Sequence, residues 1–231
     1  MSLPFAAGRP KALRPKDAAT LLLLDRSDGR IRVLMGKRHA SLAFMADKYV
    51  FPGGRVDRDD AYTACPFDLP AEDAARKGAA SSAARLRTVA LAAIREMAEE
   101  AGILVARPGA IRARGETWQG FRERGLAPAL GELRLVARAE TPPGQSRRFD
   151  SRFFAAWHSP GFVRLEGDAC GELSDLCWPT LEEAAGFDIP DITRIILEDL
   201  SARLVHDPDL RPGGPACFYR ERRANWERHT I

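Results

Sequence analysis

Arg95-Glu96-Met97-Ala98-Glu99-Glu100-Ala101-Gly102-Ile103 sets three carboxylates just ahead of a glycine. At about 100° per residue, Glu96, Glu99 and Glu100 share one arc of an α-helix. Leu86, Ala90, Leu91, Ile94, Met97, Ala98 and Ala101 fall on the opposite arc, which predicts a helix with one side on a core and an acidic side facing outward or into a cleft. Like charges three and four residues apart repel by roughly a few tenths of a kcal/mol per pair. Gly102 stands where a left-handed residue ends a helix, so the acids occupy the negative end of the macrodipole, where Lys or Arg is the comfortable choice. A bare E-x-x-E-E pattern reads most simply as a solvated acidic stripe, but this placement argues for a bound cation. Clustered carboxylates on a rigid element suit Mg²⁺ or Mn²⁺, hard ions that share phosphate oxygens with the protein.

The whole pattern R-E-(apolar)-x-E-E-x-G-(apolar), met by Arg95 through Ile103 at every position, resembles the second half of the Nudix box of nucleoside-diphosphate-X hydrolases. Its first half, G-x5-E, is similar to Phe51-Pro52-Gly53-Gly54 followed by Asp60, with Asp in place of Glu. Residues 61–94 then separate the halves, where the family keeps a short link. In an uninterrupted box Ser81 would take the place of the glycine and Arg87 that of the acid, so residues 61–87 read as an insertion. A box split in this way resembles the subgroup that includes the peroxisomal coenzyme A diphosphatase.

The resemblance implies an α/β fold, the Nudix-type α/β/α sandwich with a mixed β-sheet, over residues 18 to about 205. It also implies Mg²⁺ or Mn²⁺ on Glu96, Glu99, Glu100 and the Gly54 carbonyl, with Arg95 holding the glutamates by an ion pair and Glu96 as proton acceptor. These roles within the trio come from the family and are exchangeable. Several members use an acid from a late loop as ligand or base, a role open here to Glu172. The segment P-x4-R-R-F-D-x-R-F-F, from Pro142 to Phe154, also resembles the subgroup and nominates Arg147, Arg148 and Arg152 as substrate contacts. Guanidinium groups match phosphate oxygens in bidentate geometry. The competing reading pairs these arginines with Asp150 across strands, and alternation puts Arg148, Asp150 and Arg152 on one strand face with Phe149, Ser151 and Phe153 on the other.

The rest of the chain supplies elements for such a fold. Residues 18–25 and 31–36 flank the turn signal Ser27-Asp28-Gly29 and read as a hairpin. Strands are expected at 49–51, 133–139, 149–157 and 173–178, with a loop at 167–170. Gly53 and Gly54 let backbone approach a ligand with no Cβ in the way. Pro70-Ala71-Glu72-Asp73 opens a short helix in the insertion, and Ser81 or Ser82 caps the box helix. A long excursion inside a compact domain is often functional, so the insertion is expected to influence substrate choice as a lid or to be a solvated decoration. Thr180-x-x-Glu183 is a capping box, and Asp191 can cap a helix carrying Ile192, Ile195, Ile196, Leu200 and Leu204.

With 35 Lys and Arg against 32 Asp and Glu, the net charge of +3 is too mild to mark a nucleic-acid protein. Cys65, Cys170, Cys177 and Cys217 form no C-x-x-C pair, and no zinc spacing surrounds the histidines. Residues 1–17 read as an extended arm with no signal-peptide core, and no apolar run approaches the ~20 residues of a membrane span. The expectation is a soluble, cytoplasmic, single-domain protein (1–231) acting on a small nucleotide, with no membrane or nucleic-acid partner. Its arginine-rich extension, 206–231, is expected to pack on the same domain or across a homodimer. Two rivals are a Nudix-fold sensor that binds a nucleotide without cleaving it and an RNA-decapping enzyme. The first has little reason to keep a repulsive acid trio, and the second needs a broad basic groove. Within the hydrolase reading the favoured substrate is CoA or acyl-CoA, with ADP-ribose, another nucleoside-diphosphate sugar or a dinucleotide as the alternative.

Overall fold

The computed structural model describes residues 13–40, 45–165, 172–222 and 225–231. Most of the expected N-terminal arm, the 167–170 loop and Cys170 lie outside them. The first half of the chain holds β1 (Lys16–Asp25), β2 (Arg32–Val33), β3 (Met35–Arg38), β4 (Tyr49–Val50), β5 (Gly53–Arg55), α1 (Ala71–Ala74) and α2 (Ala83–Ala101). Next come β6 (Ile103–Leu104), β7 (Ala106–Pro108), α3 (Glu116–Glu123), β8 (Leu126–Pro128), β9 (Arg134–Glu140), β10 (Phe149–Trp157) and β11 (Val163–Arg164). The chain closes with β12 (Leu173–Cys177), α4 (Leu181–Ala185), α5 (Asp191–His206), β13 (Cys217–Arg222) and β14 (Asn225–Thr230).

β1 carries Leu21, Leu22, Leu23 and Leu24, all with no solvent exposure. A run without polar alternation can be a strand only if both faces are covered, and the topology provides this. β1 runs parallel to β10 and antiparallel to β2 and β5, in a mixed sheet ordered β14-β13-β9-β10-β1-β2. Leu21 and Leu23 pack with Phe154 and the α2 residues Leu91 and Ile94, whereas Leu22 and Leu24 pack with Phe153 and the α5 residues Ile196 and Leu200. Helix, sheet, helix is therefore the layering, in agreement with the sandwich expected. A second sheet, β12-β3-β4, stands beside the cleft described below.

The box helix α2 starts at Ser82, whose hydroxyl accepts from the Arg85 amide, and ends at Gly102 with φ 66° and ψ 22°. The strands expected at 133–139 and 149–157 form an antiparallel pair, β9 and β10, and the Thr180–Glu183 capping box is present. Asp191 differs from expectation: it lies in the first turn of α5, and Pro190 holds the N-cap position. Helix α3 was not anticipated. Its N-cap is Gly115, which offers no side-chain oxygen, and its stability comes from the buried Trp118 and Phe121.

The 206–231 extension packs on its own domain. β13 pairs parallel to β9, and β14 closes a hairpin against β13, so the extension completes the main sheet. Tyr219 donates to Asp199 of α5, and Arg228 pairs with the same carboxylate at 2.9 Å. The insertion likewise packs on the body, with Leu69 and Ala79 in the α2 core and Arg76 donating to the carbonyls of Gly214 and Ile231 at 2.6 Å each. Among the described residues, no helix is long and apolar enough to cross a membrane.

Candidate active site

Arg95 is the organising side chain. It is 6% exposed, and on the last turns of α2 its Nε and Nη2 donate to Asp60 at 2.9 and 3.2 Å. Nη2 also donates to the Arg55 carbonyl at 2.8 Å, while Nη1 reaches Glu96 at 2.9 Å and Glu99 at 2.8 Å. One guanidinium thus joins the two halves of the motif. Asp60, with no solvent exposure, fills the acidic place of the first half in spite of its shorter side chain. The 3-10 turn at Asp59–Tyr62 brings it close enough, and the Asp57 amide also donates to its Oδ2 at 2.8 Å. Arg87 is drawn elsewhere, to Asp68 at 2.5 Å and the Thr63 carbonyl at 3.1 Å. Asp60 is thus the acid of the first half that meets Arg95.

The acids are not the solvated stripe that helix periodicity alone allows. The Glu96 side chain is 13% exposed and Glu100 is 4% exposed. Glu100 accepts from the Gly53 amide at 2.8 Å, and Glu99 accepts from Thr117 at the start of α3. Burial raises the Glu96 carboxyl to about 7, with Arg95 opposing the shift and Glu99 adding to it. Burial raises Glu100 to about 8, against the Gly53 hydrogen bond and with Glu96 adding. Burial likewise raises Asp60, whereas Arg95 is held above its ordinary value against burial by Asp60, Glu96 and Glu99. A Cβ on Gly54 would lie 2.5 Å from the Glu96 carboxyl, so a larger residue there would push that side chain aside.

This donor set fits a divalent cation. Two desolvated, mutually repelling carboxyls beside an unobstructed backbone are oxygen donors suited to Mg²⁺ or Mn²⁺. Among the described residues, no three Asp, Glu, His or Cys side chains already form a metal cage, because Arg95, Thr117 and the Gly53 amide hold the glutamates apart.

A cleft of about 970 Å³ opens from these acids. Gly53, Gly54, Arg95, Glu96, Glu99 and Glu100 line one end, and Arg38 and Glu172, paired at 2.9 Å, stand on its wall. Glu172 is therefore at the cleft, as a distal acid must be. Phe51, Phe153, Ile189 and Ile192 give it an apolar side, and Arg147, Phe149 and Trp226 line it farther on.

The three expected arginine contacts are not brought together. Strand alternation holds, but the cleft lies on the Phe149, Ser151 and Phe153 face. Arg152 is 3% exposed on the opposite face, pairs with Asp17 and donates to the Ala79 carbonyl at 2.8 Å. Burial lowers it to about 10. Arg148 pairs with Glu140 at 2.7 Å. Of the three, only Arg147 lines the cleft. Arg152→Met is expected to lower stability by about 2 kcal/mol, since it removes the buried guanidinium that joins Asp17, Asp150 and the Ala79 carbonyl while Arg85 and Arg138 keep the two acids paired. Its kcat/KM should stay within about threefold of the parent, below a kcal/mol in the barrier. Denaturant unfolding and steady-state kinetics on one preparation check both. The insertion does not line the cleft either, which removes its expected role as a lid.

Sequence reading missed Thr117, Arg38, Lys48 and Trp226 as residues of the site. Their positions follow from tertiary packing and carry no local signal.

The chain is similar to the crystal structure of a Nudix hydrolase from Alicyclobacillus acidocaldarius, at 28% identity and a TM-score of 0.64, over 82% of this chain and 92% of that one. The protein is a Nudix-type hydrolase. Such enzymes act on nucleoside diphosphates linked to another moiety and generally use divalent metals. Two further solved structures are more distant and add no weight. The Nudix domain of Shewanella oneidensis NrtR, complexed with ADP ribose, is 12% identical over 83% of this chain and 90% of that one, with a TM-score of 0.49. The MutT protein from Methanosarcina mazei Go1 is 14% identical over 82% and 96%, with a TM-score of 0.47. No protein-family model matches the sequence, and no curated protein matches it.

Proposed function

We propose that this Nudix-type hydrolase cleaves the diphosphate of CoA or acyl-CoA in a Mg²⁺- or Mn²⁺-dependent reaction, giving 3′,5′-ADP and a 4′-phosphopantetheine product. The observation that carries the metal-dependent reading is the pair of buried carboxyls, Glu96 and Glu100, at the glycine-lined end of a long cleft. Glu99, Glu100, Glu96 and the Gly54 carbonyl are the proposed ligands. When bound there, the cation supplies charge neutralisation for the diphosphate and lowers the pKa of an attacking water. Glu96 is the proposed acceptor of that water's proton. Arg95 keeps Glu96 and Glu99 in place through one guanidinium nitrogen. Arg147 is the proposed phosphate contact in the cleft.

The length of the cleft and its apolar side support a substrate with a pantetheine arm. One observation favours the alternative: Arg148 and Arg152 are committed to ion pairs, which leaves fewer cations for the 3′-phosphate of CoA. ADP-ribose or another nucleoside-diphosphate sugar needs no such contact. Measuring kcat/KM with Mg²⁺ for CoA, acetyl-CoA, a long-chain acyl-CoA, ADP-ribose, NADH and diadenosine polyphosphates separates these readings. CoA species are expected to lead. A tenfold or greater preference for any other compound rejects the CoA assignment.

A further inference from the structure

The C-terminal hairpin does more than complete the sheet. Glu221 and Trp226 are cross-strand partners in β13 and β14, so their side chains share a face, and that face is the one Tyr219 presents to α5. Past the start of α5 this face forms part of the cleft wall, where both Glu221 and Trp226 are found. Trp226 is half-buried, with its body against the α5 side of the core. An indole on an edge strand that otherwise reads Glu227, Arg228 and His229 is not demanded by sheet formation.

The hairpin is firmly held. Beyond the contacts to Asp199, Arg220 pairs with Glu140 at 2.7 Å, and the Arg138 guanidinium stacks over Phe218 at 4.6 Å. A ring carried on a fixed strand loses little entropy when a ligand stacks on it. From β5 to β14 the sheet spans five strand spacings, about 24 Å in all. Acidic residues stand at one end of this span, and an aromatic ring paired with a carboxylate stands at the other.

We propose that the C-terminal hairpin is a substrate-specificity element, in which Trp226 stacks the planar heterocycle of an extended nucleotide substrate and Glu221 accepts a hydrogen bond from its amino group. The proposal rests on the diphosphate hydrolase reading for its kinetics, but binding tests it separately. ADP titrated into the metal-free protein is expected to quench tryptophan emission. Trp226→Phe should lose most of that quench, although Trp118, Trp157 and Trp178 remain. In kinetics, Trp226→Leu is expected to raise KM for the best heterocycle-bearing substrate about tenfold, the scale of one base–aromatic stack, with kcat little changed. Trp226→Phe keeps a ring and should stay within about threefold, and Glu221→Gln should weaken adenine more than uracil nucleotides. An alkyl diphosphate with no heterocycle should bind all the variants alike. If ADP leaves the emission of Trp226 unchanged, or if Trp226→Leu raises KM equally for the alkyl diphosphate, the assignment is overturned. Failure of the wild type to hydrolyse any diphosphate would instead overturn the hydrolase reading, with the fluorescence result still deciding the platform.

Discussion

Glu100→Gln is expected to lower kcat by about 10²–10³, a loss of roughly 3–4 kcal/mol in transition-state stabilisation, while the protein stays folded. The substitution keeps the shape of the side chain and can still accept from the Gly53 amide. It removes a carboxyl that ionises only at a cost, since Glu100 is 4% exposed and an ionised Glu96 would repel its charge. Loss of activity with equal or higher thermal stability is therefore the signature of a metal ligand. Steady-state rates at limiting Mg²⁺ together with a melting curve provide the check. Wild-type rates for the variant would remove Glu100 from the ligand set.

Arg95→Gln acts on both fold and catalysis. Removing one partner of a buried, hydrogen-bonded ion pair strands the other, and here Asp60 has no solvent exposure at all. The expected cost is about 3–5 kcal/mol of stability. That corresponds to a melting temperature lower by roughly 10 °C in a chain of this size. Because Arg95 also holds Glu96 and Glu99, the folded fraction should be impaired in turnover as well. Adding Asp60→Asn removes the stranded charge and is expected to restore part of the stability but little of the activity. Calorimetry on the single and double variants separates the two roles.

The sequence signals that proved legible were local or strictly periodic. Apolar spacing from Leu86 to Ala101 and the left-handed Gly102 delimit α2, and Ser27-Asp28-Gly29 marks the first turn. Asp60 could also be picked out, because it follows Gly54 at the spacing of the motif's first half, and the structure pairs it with Arg95. Hidden features were those decided at long range. Alternation along β10 separates Arg152 from Phe153, but which face stays open depends on where α5 begins. The extension finds its place only because β9 has a free edge, and that edge exists only after the sheet has assembled. Helix α3 has no capping side chain, so the burial of Trp118 and Phe121, a tertiary effect, is what stabilises it.

The most direct test of the account is a calorimetric titration of Mg²⁺ into the metal-free protein at several pH values, in buffers of different ionisation enthalpy. Glu96 near 7 and Glu100 near 8 remain protonated when folded and metal-free, at pH values where the unfolded chain, near 4.5, has already released its protons. The folded state thus binds more protons between about pH 4.5 and 8, and the stability of the metal-free protein falls as pH rises through that window. Metal binding needs both carboxyls ionised, so at about pH 6.5 it should release roughly one to two protons per site, and affinity should tighten toward pH 8.5. Glu100→Gln should reduce both the affinity and the proton count. Mg²⁺ binding that releases no protons and is indifferent to pH, or that is unchanged in Glu100→Gln, would contradict a cation site built on these buried glutamates.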